Sequence, residues 1–424
     1  MTYIVQRCES LATLFYLLGI YFSTRYFEAK KCKRKAFIWF AGATVACLFG
    51  VMTKEILVTA PLMILLIDRS FYSLSLVRSV RNHFWLYVSI SITIFPLILI
   101  HSKAANMYSI IDLTQGEYGQ QKITSFHYLL TQCEVLPHYL KLAACPIQLC
   151  LDYRWPVVEK LNDVLMEGSF VLLLLLSSLW AIYRYPKVSL IPAGIFILLA
   201  PTSSFYPLLN IAFEHRMYFP LALLLIGGCL LFCYFIRHAH GQQVVFARIF
   251  VIALIVIFTY LTICRNFDYR TQESIWKDTV DKAPNNPRAH YSLGVVIGEM
   301  EGRLNDALQC YEEALRLEPS YIDAHNNIGN ILSKLGRDKD ACIHFEFVLT
   351  KRSMDAEARA NYALSLAKHG RTNDAIEQYE RALIINQNMP VVHYNLAVIY
   401  NKVGNTEMAK RHYDSYKILS GSIN

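Results

Sequence analysis

The sequence predicts an all-α protein in two parts: a polytopic helical membrane domain over residues 1–264, then a helical-repeat solenoid over 287–424, with a linker and half-repeat cap at 265–286 between them. Three observations predict it. Only 17% of the 424 residues are charged and 54% are hydrophobic, where a soluble domain carries roughly a quarter charged residues. Charge is sparse up to Cys264 and dense after it. From Pro287 onward the chain repeats with a period of 34 residues.

The first part is justified run by run. Crossing the hydrocarbon core takes about 20 apolar residues. Runs approaching that length lie at 9–27, 36–53, 56–71, 84–101, 168–185, 188–201, 217–236 and 244–264, the sixth being the shortest and containing Pro192. This makes about eight spans. Between the first two lies "KKCKRK", Lys30 to Lys35, with five positive charges in six residues. Beside two spans such a run is a cytoplasmic anchor by the positive-inside rule. Threading onward, the loops assigned to the same side carry Arg69, Arg78 and Arg81, then Arg184 and Lys187, then Arg237 and Arg248. All are basic.

The opposite side therefore receives Arg7 and Glu9, the Lys54-Glu55 hairpin tip, the loops 102–167 and 202–216, and everything after Cys264. In the long loop, the stretch 129–156 has apolar residues in helical rhythm, with Pro137 and Pro146 as breaks. It reads as an interfacial helix. A Pro-broken ninth span is the alternative, and it would invert everything downstream.

The second part rests on four coincident registers. Gly302, Gly336, Gly370 and Gly404 are 34 apart, as are Ala307, Ala341, Ala375 and Ala409, and Tyr311, Phe345, Tyr379 and Tyr413. Upstream, Leu293-Gly294, Ile328-Gly329, Tyr362-Ala363 and Leu396-Ala397 recur at nearly the same spacing. This is the tetratricopeptide (TPR) pattern. The small residue lets the second helix approach, and the later Gly ends the first helix at a left-handed turn. Trp276 and Pro284 sit where a preceding half-repeat would place its aromatic and its terminal Pro, so Gln272–Lys282 reads as a cap. TPR arrays hold extended polypeptide in a groove. Asn327, Asn361 and Asn395, with Ser292 at the equivalent earlier place, would face it. An amide ladder can bond a peptide backbone, or the positions can be idle.

Several classes are argued against. The net charge of +8 is spread over loops and forms no single basic face, so nucleic acid is not an expected partner. The eleven Cys show neither a CxxC pair nor zinc-type spacing, and no metal site emerges. No cofactor is evident. A transporter would want inverted repeats or an isolated mid-membrane charge, and neither is visible.

The motifs "TYIVQR", "ESLA" and "LFYLL" at the start, "TKE" before a Pro-containing span, "LDYRWP" and "FEHRMYFP" occur in that order and precede the TPRs. Together they resemble the bacterial-type relatives of the transmembrane-and-TPR protein O-mannosyltransferases, over nearly the whole chain. The resemblance implies a GT-C-type membrane fold, a polyprenyl-phosphate-linked sugar as donor, and TPRs outside the cytoplasm. That side would be periplasmic in a bacterial inner membrane, or luminal in the endoplasmic reticulum of a eukaryote. GT-C enzymes carry a catalytic acid in the first outward loop, and "TYIVQR" normally follows that loop. The opening thus reads as the interior of a larger protein, its catalytic residues cannot be assigned, and the 424-residue chain is expected to transfer no sugar.

The outer face offers Arg216, Lys54 and Arg7 as cations for a lipid phosphate, and Glu214, Glu55 and Asp152 as supporting carboxylates. A structural reading stands beside this one, in which Lys54–Glu55 and Glu214–Arg216 are interfacial ion pairs pinning helix ends. Two functions follow: a glycosyltransferase-like membrane protein whose TPRs bind the acceptor, or a non-catalytic membrane scaffold recruiting protein partners.

Overall fold

A computed structural model describes residues 2–29, 33–73, 75–97, 123–204, 207 and 211–421, without the side chains of 2–7. The described residues contain helices and no strands, as the sequence predicts. They form two compact units, one ending at Asp268 and one running from Tyr269 onward.

The first unit opens with helices α1 (Thr2–Glu28) and α2 (Lys33–Val51). Phe15 stacks on Phe49 while Tyr26 meets Phe40, so the two run antiparallel. A turn at Met52 and Thr53 leads to a 3-10 turn (Glu55–Thr59) and α3 (Ala60–Phe71), then to α4 (Leu76–Asn82) and α5 (Phe84–Ile92). The α3 and α4 segments are bent by 110°. Asp68, fully buried at the end of α3, accepts from the Tyr87 and Ser73 hydroxyls at 2.8 Å and lies 2.8 Å from His83 Nδ1, tying α3 to α5.

Helix α6 (Ser125–Ala144) is followed by an irregular stretch over 145–160, α7 (Leu165–Arg184), α8 (Pro186–Leu199), α9 (Tyr218–His238) and α10 (Gln242–Asp268). Here the sequence expectation is corrected. Pro137 does not break α6, which runs through it; only the Pro146 break is seen. A proline removes one N–H and crowds one turn, and seven buried side chains on α6, Tyr128, Val135 and Tyr139 among them, hold the helix together across that gap.

Each of the eight expected runs contains helix, and among the described residues four helical stretches are long and apolar enough to cross a membrane: Lys33–Val51, Leu161–Arg184, Glu214–His238 and Gln242–Asp268. The bent pair makes a fifth if it is one span, and Phe84–Leu97 and Pro186–Leu199 are shorter apolar helices. The last part of the 84–101 run lies outside the described residues. None of the 27 residues of α10 is buried.

The second unit begins with α11 (Gln272–Lys282), opened by a capping box between Thr271 and Ser274. Eight helices follow in pairs: α12 (Pro287–Gly298) with α13 (Leu304–Leu317), α14 (Ile322–Lys334) with α15 (Asp338–Lys351), α16 (Ala356–Lys368) with α17 (Thr372–Ile385), and α18 (Pro390–Lys402) with α19 (Thr406–Leu419). A Cβ on Gly329 would sit 2.8 Å from the ring of Phe345, itself fully buried, so only glycine lets α14 and α15 approach this closely. Gly336 has φ +76°, and the Arg337 N–H reaches back to the Leu332 carbonyl at 2.8 Å, the Schellman closure of α14. Trp276 and Val280 of α11 pack against the same core. This is a TPR α-solenoid.

Candidate functional site

Of the sequence-predicted charges of the first unit, Glu9 and Lys54 come together with His215 where α1, the α2–α3 hairpin and the start of α9 meet. Glu9, on the first turns of α1, is 5% exposed. Its Oε1 takes the ammonium of Lys54, which stands 45 residues away just before the 3-10 turn. His215 Nε2 lies 3.8 Å from the same oxygen. Glu55 opens the 3-10 turn beside them and is half-exposed. The side chain of Arg7 lies outside the described residues.

The Lys54–Glu55 pair suggested by sequence adjacency gives way to a partner on another helix. Lys54 is paired with Glu9, not pinned to Glu55. Arg216, 8% exposed, donates through Nη1 to the Ile211 carbonyl at 2.8 Å, the Thr202 carbonyl at 3.1 Å and the Tyr128 hydroxyl at 3.4 Å. Buried carbonyls need donors, and a guanidinium supplies several in one plane. Glu214 and Arg216 both lie in one tight 3-10 turn (Glu214–Met217).

Glu214 faces the irregular stretch instead. Its Oε1 accepts the Cys150 N–H at 2.6 Å and the Tyr153 hydroxyl at 2.7 Å. The "LDYRWP" motif is thereby latched to "FEHRMYFP". Burial, and then the Glu214 charge, push the Tyr153 phenol well above its usual range, so it stays a neutral donor. Asp152, 8% exposed, turns inward and accepts the Arg154 N–H at 3.1 Å, where Arg154 has φ +40°. Trp155 Nε1 donates to Glu134 on α6 at 2.9 Å, and His138 stands edge-on to both Tyr153 and Trp155. Burial lowers the His138 pKa, which leaves the imidazole neutral near pH 7.

Sequence reading missed the α6 side of this site. Tyr128, Gln132 and Tyr139 lie on one buried stripe. The Tyr128 hydroxyl donates to Thr202, the Gln132 amide to Ile211, and the Tyr139 hydroxyl accepts the Phe213 N–H. The available signal was polar residues recurring at helical spacing inside an apolar face, which marks hydrogen bonding rather than solvent.

In the second unit, the amide ladder is partly engaged. Asn327 Nδ2 donates to the Tyr291 and Tyr311 hydroxyls at 3.2 and 3.3 Å, and Asn395 Nδ2 to Tyr379 at 3.0 Å. At the equivalent place below Asn361 stands Phe345, and the Asn361 side chain has no hydrogen-bond partner among the described residues. Ser292 is half-buried. No group of three or more His, Cys, Asp or Glu side chains among the described residues is placed to hold a metal ion.

A TPR repeat family model matches residues 301–336 and 363–404. Among curated proteins, protein O-mannosyl-transferase TMTC1 of Mus musculus is 25% identical over 234 residues, covering 50% of this chain and 23% of its own length. Protein O-mannosyl-transferase F38B6.6 of Caenorhabditis elegans is 25% identical over 254 residues, covering 58% of this chain and 35% of its own length. TMTC3 of Mus musculus is 26% identical over 229 residues, covering 51% and 24%. The chain resembles the TMTC-type protein O-mannosyl-transferases. It spans between about a quarter and a third of the length of these relatives. Among solved structures, MamA from Desulfovibrio magneticus RS-1 aligns over 39% of this chain and 96% of its own at 20% identity and a TM-score of 0.35. The chain is thus a membrane protein with TPR repeats and a glycosyltransferase-like relationship. TPR repeats are a protein-binding architecture, and the apolar helices fit a bilayer.

Proposed function

We propose that the mouth formed by Glu9, Lys54, His215 and Arg216 receives the phosphate of a polyprenyl-phosphate-linked sugar, and that the TPR array binds the acceptor polypeptide. The observation that carries this reading is convergence. Residues from three separate motifs of the resemblance, "ESLA", "TKE" and "FEHRMYFP", meet around one carboxylate oxygen. A lipid phosphate at a membrane surface needs a cation in a partly dry pocket. Lys54 is that cation, held by Glu9 until the phosphate takes its place. Arg216 shapes the pocket wall through its carbonyl contacts, and Glu214, Glu55 and Asp152 support the loops around it. The catalytic base is left unassigned.

In this reading the membrane domain covers residues 1–264, the linker and cap 265–286, and the four repeats 287–424, with the repeats on the extracytoplasmic side. The amide carbonyls of Asn327 and Asn395, whose N–H groups are held by tyrosines, accept from an acceptor backbone, with Asn361 and Ser292 continuing the row. The scaffold alternative shares the array but needs no donor lipid.

A photoactivatable polyprenyl-phosphate mannose, presented to the full chain in detergent micelles, separates the two. Cross-linking is expected near Lys54, falling at least tenfold in Lys54→Met and far less in Glu55→Gln. Labelling that is unchanged by Lys54→Met would overturn the phosphate assignment. No labelling above background would leave the scaffold.

A further inference from the structure

Two pairs of histidines in the repeats face each other in the same way. His325 on α14 and His344 on α15 approach with Nδ1 to Nδ1 at 3.0 Å, and two periods later His393 on α18 and His412 on α19 do the same at 3.0 Å. We propose that each pair is a chelate for a divalent transition-metal ion of the Zn²⁺ or Cu²⁺ type, giving two such sites in the array.

The distance is the first support. Imidazole nitrogens bound to a metal at about 2.0–2.1 Å stand about 3.3 Å apart in a tetrahedral site and about 2.9 Å apart at a right angle, and 3.0 Å falls between the two. The second support is the outer hydrogen bond. His325 Nε2 lies 3.1 Å from the Pro319 carbonyl oxygen, which can only accept, so the ring proton sits on Nε2 and the Nδ1 lone pair points at His344. His290 in the first repeat makes the equivalent contact to Pro284 at 2.9 Å. The backbone before α14 thus sets the tautomer that His325 needs as a Nδ1 ligand. On binding, the Nδ1 proton of His344 moves to its own Nε2, and no charge is lost from the protein. Neutral imidazole suits borderline metals. Two protein ligands leave the remaining positions to water. Asp340 lies near the first pair and Glu380 near the second, already engaged with Arg337 and Tyr400.

The third repeat supplies an internal control. At the same two places it carries Arg359 and Gln378, joined by a hydrogen bond of 2.7 Å, with Arg359 reaching the Ser353 carbonyl at 2.6 Å. Helix packing is therefore satisfied without imidazoles, and the same backbone contact persists. The histidines add ligand chemistry that the fold itself does not require.

The test exploits that control. The full chain in detergent micelles is stripped with a chelator and titrated with Zn²⁺ by calorimetry, and with Cu²⁺ by electron paramagnetic resonance. Two sites are expected, with nitrogen hyperfine structure from two imidazoles. His325→Arg with His344→Gln transplants a pair that the fold already accepts and should leave one site. Adding His393→Arg with His412→Gln should leave none, with residual binding at least tenfold weaker. Arg359→His with Gln378→His should create a third. Stoichiometry that ignores these exchanges, or a four-substituted chain that binds as tightly as the parent, would overturn the proposal.

Discussion

The two units solve the problem of pairing polar side chains at different ranges. In the unit ending at Asp268, Lys54 finds Glu9 across 45 residues, Glu214 finds Cys150 across 64, Gln132 finds Ile211 across 79 and Arg216 finds Tyr128 across 88. In the repeats, Asn327 and Asn395 find tyrosines 16 residues away, and the histidine and Arg359–Gln378 pairs close at 19. A solenoid contacts only its neighbours, so its partners recur at fixed offsets. A polytopic bundle brings together ends of helices in an order that depends on the whole topology. Short-range pairing spreads stability along the chain, whereas long-range pairing concentrates it in a few shared contacts.

Substitutions break or sharpen that contrast. The largest effect is expected from Phe345→Ala, which removes a fully buried ring closing on Gly329 and should cost about 3–5 kcal/mol. Denaturation of the full chain followed by hydrogen exchange would locate the loss in the second and adjacent repeats. Exchange rising equally throughout the array would contradict nearest-neighbour behaviour.

Next comes Arg216→Met, which removes the charged donor from the Ile211 and Thr202 carbonyls and leaves each with one neutral donor, Gln132 and Tyr128. It is expected to cost about 2–4 kcal/mol. Thermal unfolding in micelles reads the cost, and accessibility of cysteines introduced into α6 and α9 tells whether both ends loosen together. Loosening of α9 alone would show that Arg216 serves only its own loop. Gly336→Ala places a Cβ at φ +76°, a left-handed position. About 1 kcal/mol should be lost there, confined to the second repeat. The smallest and sharpest comparison is Asn327→Ala against Asn361→Ala. The first loses two hydroxyl contacts and should cost about 1 kcal/mol; the second faces a phenylalanine and should cost a few tenths at most. Equal costs would mean that the tyrosine contacts contribute nothing.

What the sequence revealed follows the same division. The 34-residue period placed the repeats, the left-handed glycines and the half-repeat helix at Gln272–Lys282, because each is a local consequence of one helix pair. The apolar runs placed the helices of the membrane unit for a similar reason: crossing length is a property of one segment. At the site, the motif residues Glu9, Lys54 and Arg216 were legible as charges, yet their partners were not. Lys54 and Glu55 are adjacent in sequence, which made a pair look natural, while the true partner lay on another helix. Tyr128 and Tyr139 were hidden because a tyrosine in an apolar stripe looks like core until the carbonyl it serves is known. Pro137 misled for a related reason, since tertiary burial of α6 outweighs one missing hydrogen bond.

Helix α10 turns this contrast into a statement about tolerance. With none of its side chains buried, what holds it is its affinity for hydrocarbon, and that depends on which residues it contains and hardly on their order. Permuting its isoleucines, valines and phenylalanines among themselves would leave its neighbours undisturbed. The same shuffle in α2 would push bulk toward Gly42, where even a methyl group would stand 3.1 Å from the Phe22 ring. One helix is specified as an amount of grease, the other as a shape.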